Sequence, residues 1–211
     1  MRRFTAIWLG AGLFLIGLTG GAPAQELSGQ ALLEALRGGG LNIYFRHAET
    51  DWSQSDHVTK LWDWRSCDPK RMRQLSSAGV ATAKRIGAAM RALKIPVGSV
   101  MSSEYCRAEQ TANLLDLGKV TPTLEIMNMR AADYVGGRKA VIQRARIVLA
   151  TAPPKGTNRV IVGHGNLLRD ATDVYPDEAG SGVFRPKPGG DLGFELVATL
   201  TWQDWVRLAE P

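Results

Sequence analysis

The chain has 211 residues, with 26 lysines and arginines against 20 aspartates and glutamates, a formal charge of +6. That length fits one domain with a sizeable core and no second one. The moderate basic excess suits an anionic substrate or surface, but without a dense Lys/Arg run interleaved with aromatics it argues against a nucleic-acid partner.

In chain order, Arg2 and Arg3 precede an uncharged run from Ala6 to Leu18, followed by Ala22-Pro23-Ala24. This is the pattern of a signal peptide over residues 1–24, cleaved before Gln25. A retained anchor is the alternative, but spanning a bilayer usually needs about 20 apolar residues. Cleavage leaves residues 25–211 as the single domain, with no membrane span and a charge of +4 once Arg2 and Arg3 are gone. A periplasmic or secreted location is expected.

Ser28 caps a short helix over Ala31–Leu36, stopped by Gly38-Gly39-Gly40, and Leu41–Phe45 forms a first strand. Glu49–Gln74 is a long polar loop whose Trp52, Trp62 and Trp64 read as packing it onto the body, with stacking on substrate as the alternative. Loops of that length inside a compact domain are usually functional. Ser76 or Ser77 opens a helix to Lys94, with Val80, Ile86, Met90 and Leu93 at helical spacing. After Pro96 come a strand over Val97–Met101, a helix over Glu104–Leu117, and a strand and loop over Thr121–Met129. Arg138–Ala150 is amphipathic, its Arg138, Lys139, Arg144 and Arg146 forming a solvated face. Arg159–Val162 is a buried strand, and Leu167–Thr172 a helix after Gly165. Phe194, Leu196, Ala198, Leu200 and Trp202 alternate as a late strand that closes the sheet. The alternation of strands and helices predicts an α/β fold, a three-layer α/β/α sandwich with a mostly parallel central sheet.

Chemistry concentrates where three strands end. His47 follows Ile43-Tyr44-Phe45-Arg46, and His164 follows Val160-Ile161-Val162-Gly163. Between them Ser102-Ser103 leads into a helix that carries Arg107. Carboxyl ends of strands in an open α/β sheet are where ligands bind. Arg46 and Arg107 offer planar forks matched to phosphate oxygens, and one imidazole can serve as nucleophile. Gly163 and Gly165 remove side chains around His164 so that backbone or substrate can come close. His57, in a polar stretch, reads as a structural hydrogen-bonder. A zinc site of His47, His57 and His164 has no ligand-spacing motif behind it. Cys67 and Cys106 could bridge in an oxidising compartment or stay as two thiols; geometry decides.

Arg46-His47-Ala48-Glu49-Thr50, Ser102-Ser103 through Arg107-Ala108-Glu109-Gln110-Thr111-Ala112, and Gly163-His164-Gly165-Asn166 together resemble the three signature segments of the histidine phosphatase superfamily, phosphoglycerate mutase-like branch. Ala48 departs from the glycine usual after the first histidine. The resemblance implies a phosphomonoesterase in which His47 attacks phosphorus and the phosphohistidine is hydrolysed. Arg46, Arg107 and His164 bind the phosphoryl oxygens, Asn166 joins Arg46 and Arg107 in substrate binding, and neither metal nor cofactor is required. The proton donor implied by position is Glu125, with Glu49, Asp51 and Glu178 competing. The implied partner is a phosphorylated small molecule or envelope substrate, with phosphosugars the first guess. A phosphomutase and a non-catalytic phosphate-binding module are the alternatives. Sequence gives neither the physiological substrate nor the oligomeric state.

Overall fold

The computed structural model describes residues 26–210, so the leader read over residues 1–24 lies outside them. Six strands form one sheet: β1 (Asn42–Arg46), β2 (Val97–Ser103), β3 (Val120–Thr123), β4 (Asn158–Gly163), β5 (Ser181–Pro186) and β6 (Phe194–Leu200). Their order across the sheet is β3-β2-β4-β1-β5-β6. The first four run parallel, whereas β5 is antiparallel to β1 and β6 to β5. The expected α/β/α sandwich is therefore present, with its antiparallel pair at one edge. Val160, Ile161 and Val162 of β4 are all buried, as a strand covered on both faces requires.

The helices are α1 (Gly29–Gly38), α2 (Ser77–Ala92), α3 (Cys106–Leu115), α4 (Arg138–Ala150), α5 (Gly165–Thr172) and α6 (Trp202–Leu208). Packing joins α2 to α3 and α6, and α4 to α5. Ser76 caps α2 as expected, its hydroxyl accepting from Gly79 N at 2.9 Å. A side chain at Gly79 would strike the Glu49 carbonyl, so this glycine lets α2 seat directly under the loop that follows β1. The basic residues on α4 do more than face solvent. Arg144 donates to Val135 O at 2.8 Å, Arg146 to Ala171 O at 3.0 Å, and Arg138 pairs with Asp170 at 2.6 Å.

Two elements escaped the reading. β5 is short and begins Ser181-Gly182, and α6 starts at Trp202, which the alternation had assigned to a strand. Thr201 stops that strand because it caps α6 in a reciprocal box with Asp204.

The long loop folds back on itself through isolated bridges Thr50–Leu75 and Asp56–Met72, with a single turn of 3-10 helix over Asp63–Arg65. Of its tryptophans only Trp64 packs inward, donating Nε1–H to Glu104 at 3.1 Å. Trp52 and Trp62 are exposed and carry Arg73 and Arg65 stacked on their rings, which corrects the expectation that all three anchor the loop. Cys67 and Cys106 form a disulfide, with Cα atoms 5.4 Å apart, tying this loop to the first residue of α3.

Candidate active site

The neighbouring carboxyl ends of β1, β4 and β2 carry the residues singled out above. Arg46 pairs with Gly163 in the β1–β4 register, which sets His47 and His164 side by side just beyond the strands. Their rings meet edge to face with centroids 5.4 Å apart. His47, His164, Arg46, Arg107 and Asn166 all line one pocket of about 90 Å³.

His47 is held by its backbone surroundings. Its Nδ1 lies 2.9 Å from its neighbour Ala48's carbonyl, which can only accept, so the proton sits on Nδ1 and Nε2 keeps its lone pair. The Ala48 peptide is itself fixed, because its N–H donates to Thr111 Oγ1 at 3.0 Å while that hydroxyl donates to Arg107 O at 2.7 Å. This bond explains the spacing between Arg107 and Thr111 in α3. Ala48 is fully buried and its backbone φ is not positive, so an alanine fits at this position without strain.

His164 caps α5. Tyr44 pins its backbone, accepting from His164 N at 2.8 Å and donating to His164 O at 3.2 Å. Any side chain at Gly163 would collide with that phenol, and one at Gly165 would press on Arg46 and Tyr175. Both glycines therefore admit neighbouring side chains of the protein, where substrate or backbone had been expected. His164 Nε2 meets Ser103 Oγ at 2.9 Å, and its Nδ1 is buried without a partner. Arg46 donates to Pro176 O at 3.2 Å and stacks near Tyr175.

Burial lowers the proton affinity of both imidazoles well below the usual value of 6.5, and the Arg107 charge adds to the effect. The unfolded chain takes up protons here below about pH 6.5 while the folded chain does not. Folded-state stability is thus fully present above that pH and lost as pH falls. Thermal unfolding should therefore drop in midpoint between about pH 7.5 and pH 5.5, and a level midpoint over that range would contradict the burial of two neutral imidazoles.

Sequence reasoning missed five pocket-lining residues: Asp56, Arg73, Asn128, Arg130 and Tyr175. Asp56 is buried and paired with Arg107 at 2.8 Å, Arg73 at 3.1 Å and Arg130 at 3.3 Å. Asn128 Oδ1 accepts from Asn166 Nδ2 at 2.9 Å. Glu125 does not enter the pocket; it sits half exposed, 3.9 Å from Arg144. Its segment leaves β3 so that Ile126 and Met127 enter the core and Asn128, three residues on, faces the site. None of the competing acids lines the pocket either. Glu49 accepts from Ser76 Oγ and Asp51 from its own loop, whereas Glu178 accepts from Thr50 and Trp52 and lies 3.8 Å from Arg46 and 4.0 Å from His47 Nδ1. His57 lines a separate surface pocket. Among the described residues no group of three or more His, Cys, Asp or Glu side chains is arranged to hold a metal ion, and no helix is long and apolar enough to cross a membrane.

The model of the histidine phosphatase superfamily (branch 1) matches residues 43–146 of the chain. Its fold is similar to that of alpha-ribazole phosphatase from Shigella flexneri, with a TM-score of 0.53 and 15% identity over 77% of this chain and 96% of that one. It is also similar to phosphoserine phosphatase from Entamoeba histolytica in complex with 3-phosphoglyceric acid, with a TM-score of 0.51 and 13% identity over 78% and 98% of the two chains. At these identities the likeness is one of fold. No curated protein matches the chain in sequence.

Proposed function

We propose that this protein is a phosphomonoesterase that forms a phosphohistidine on His47 and releases inorganic phosphate. The observation that carries the reading is the buried His47 with its proton committed to the Ala48 carbonyl and Nε2 unprotonated, in a pocket lined by guanidiniums. Nε2 attacks phosphorus and the P–O bond to the leaving alcohol breaks; water then attacks the phosphohistidine and returns Nε2. Arg46, Arg107 and His164 supply the charge and donors that stabilise the phosphoryl group between attacking and leaving atoms. Asp56 is the one acid among the described pocket residues, and both its oxygens already accept from guanidiniums. The reading therefore assigns the chain's own residues to nucleophilic attack and charge stabilisation, and it names no proton donor. The pocket takes little more than a phosphoryl group, with Trp52 and Tyr175 at its rim, which suits a small phosphorylated molecule whose remainder lies outside. The names of the structurally similar phosphatases point to substrates of that kind. An exported location, periplasmic or secreted, accords with the leader-like residues 1–24 and with the disulfide.

Rapid quenching with a labelled aryl phosphate, whose phenolate needs no proton to leave, tests the chemistry. Acid-labile, base-stable label on His47 is expected. Label on a hydroxyl residue, or steady turnover with no labelled intermediate, would reject it.

A further inference from the structure

Three guanidiniums converge on one carboxylate in the wall of the pocket. Arg107 reaches both oxygens of Asp56, at 2.8 and 3.3 Å, Arg73 donates to it at 3.1 Å, and Arg130 lies at 3.3 Å while also donating to the Asp56 backbone carbonyl at 2.9 Å. Asp56, Arg73 and Arg107 are each more than nine-tenths buried. One carboxylate against the two buried guanidiniums of Arg73 and Arg107 leaves an excess of one positive charge, 2 − 1, with the half-exposed Arg130 beside it. Uncompensated buried charge calls for a counter-ion, and a phosphoryl group is an anion of that kind.

The nitrogens left over say where that anion fits. Asp56 engages only the terminal nitrogens of Arg73 and Arg107. The Nε–H of each is buried and has no partner, as is His164 Nδ1 across the same pocket. Orphaned buried polar atoms are rare in folded proteins, and here two guanidinium N–H donors, one imidazole nitrogen and the Asn166 Oδ1 acceptor belong to side chains lining one hollow. Trp52 covers the flat face of the Arg73 guanidinium at 3.7 Å, so its edge is what remains for a ligand. Arg73 lines the same pocket as both imidazoles.

We propose that Asp56 is a positioning residue that holds Arg73 and Arg107 edge-on, and that Arg73 is thereby a further phosphoryl-binding residue. The proposal rests on the phosphomonoesterase reading above. It explains why an acid stands in an anion-binding pocket: it orients two guanidiniums without using their Nε–H donors.

Calorimetric titration with inorganic phosphate tests this in the wild type and in Arg73→Met, Arg73→Lys, Asp56→Asn and Asp56→Glu, with thermal unfolding and aryl phosphate turnover measured alongside. Arg73→Met should weaken phosphate binding by about tenfold or more, the worth of a charge-assisted hydrogen bond. Arg73→Lys keeps the charge and the ion pair, hence the fold, but has no second edge to offer, so it should recover only part of the loss. Asp56→Asn should weaken binding in the same direction, and Asp56→Glu should restore some of it. Unchanged affinity in the folded Arg73 variants would reduce Arg73 to a structural partner of Asp56 and overturn the proposal. Tighter binding by Asp56→Asn would make the carboxylate a competing anion and overturn it equally. If the wild type binds phosphate but turns nothing over, the phosphomonoesterase reading fails while the affinity series still decides the orientation. If the wild type binds no phosphate, both fall.

Discussion

His47→Ala should lower turnover of an aryl phosphate by at least about a thousandfold while the protein still folds. No other imidazole in the pocket is prepared for attack in the same way. His164 has Nε2 engaged with Ser103 Oγ and presents Nδ1 from the cap of α5, a geometry suited to holding an oxygen. What survives in the variant is the electrostatic cradle, which in other enzymes sustains a residual rate without the nucleophile. The structural cost is small, since alanine removes one hydrogen bond to the Ala48 carbonyl, worth about 1 kcal/mol. A circular dichroism spectrum like the wild type's, with kcat collapsed and phosphate still bound, is the expected signature. Activity within about tenfold of the wild type would transfer the nucleophile's role to another residue.

Arg107→Met should damage both activity and stability, and the two losses can be separated. The guanidinium is almost wholly buried and bridges both oxygens of Asp56 while its Nε–H has no partner. Removing a phosphoryl-stabilising arginine costs on the order of 10³ in rate or more. Removing one partner of a buried ion pair costs about 3–5 kcal/mol, because the other charge is left without its best partner. In a domain of this size that amounts to roughly 10 °C in Tm. Adding Asp56→Asn to Arg107→Met should lower the Tm further and return none of the rate, since the buried Arg73 then loses its carboxylate and the cradle is still incomplete. Recovery of turnover in the double variant would place Arg107 outside the reacting site.

The contrast between what the chain announces and what it hides has a physical basis. His47, His164, Arg46 and Arg107 were legible because each follows a strong apolar strand or opens a helix, and such junctions fix position closely in sequence. The bounds of α4, Arg138–Ala150, were legible for the same reason, its stripe being regular and stopped by Pro153-Pro154. Asp56, Arg73 and Arg130 were not, since they sit in segments without periodicity where charged residues ordinarily face solvent. The one signal was the length of the polar loop; its closure onto the site depends on the pairing of Asp56 with Met72, a contact invisible to local patterning. Glu125 was chosen by position along the chain, but the short turn that buries Ile126 and Met127 brings Asn128 inward in its place. β5 escaped because its first half, Ser181-Gly182, carries no strand preference, although pairing with β1 and β6 imposes one.

The disulfide closes a ring in which Arg73 lies inside and Arg107 stands one residue beyond, joining cysteines 39 positions apart. The two guanidiniums of the cradle are thus tethered covalently as well as through Asp56. Loss of the bridge would leave this loop held to the site by the Asp56 ion pairs alone, and reduction of Cys67 and Cys106 should therefore loosen its grip on an anion.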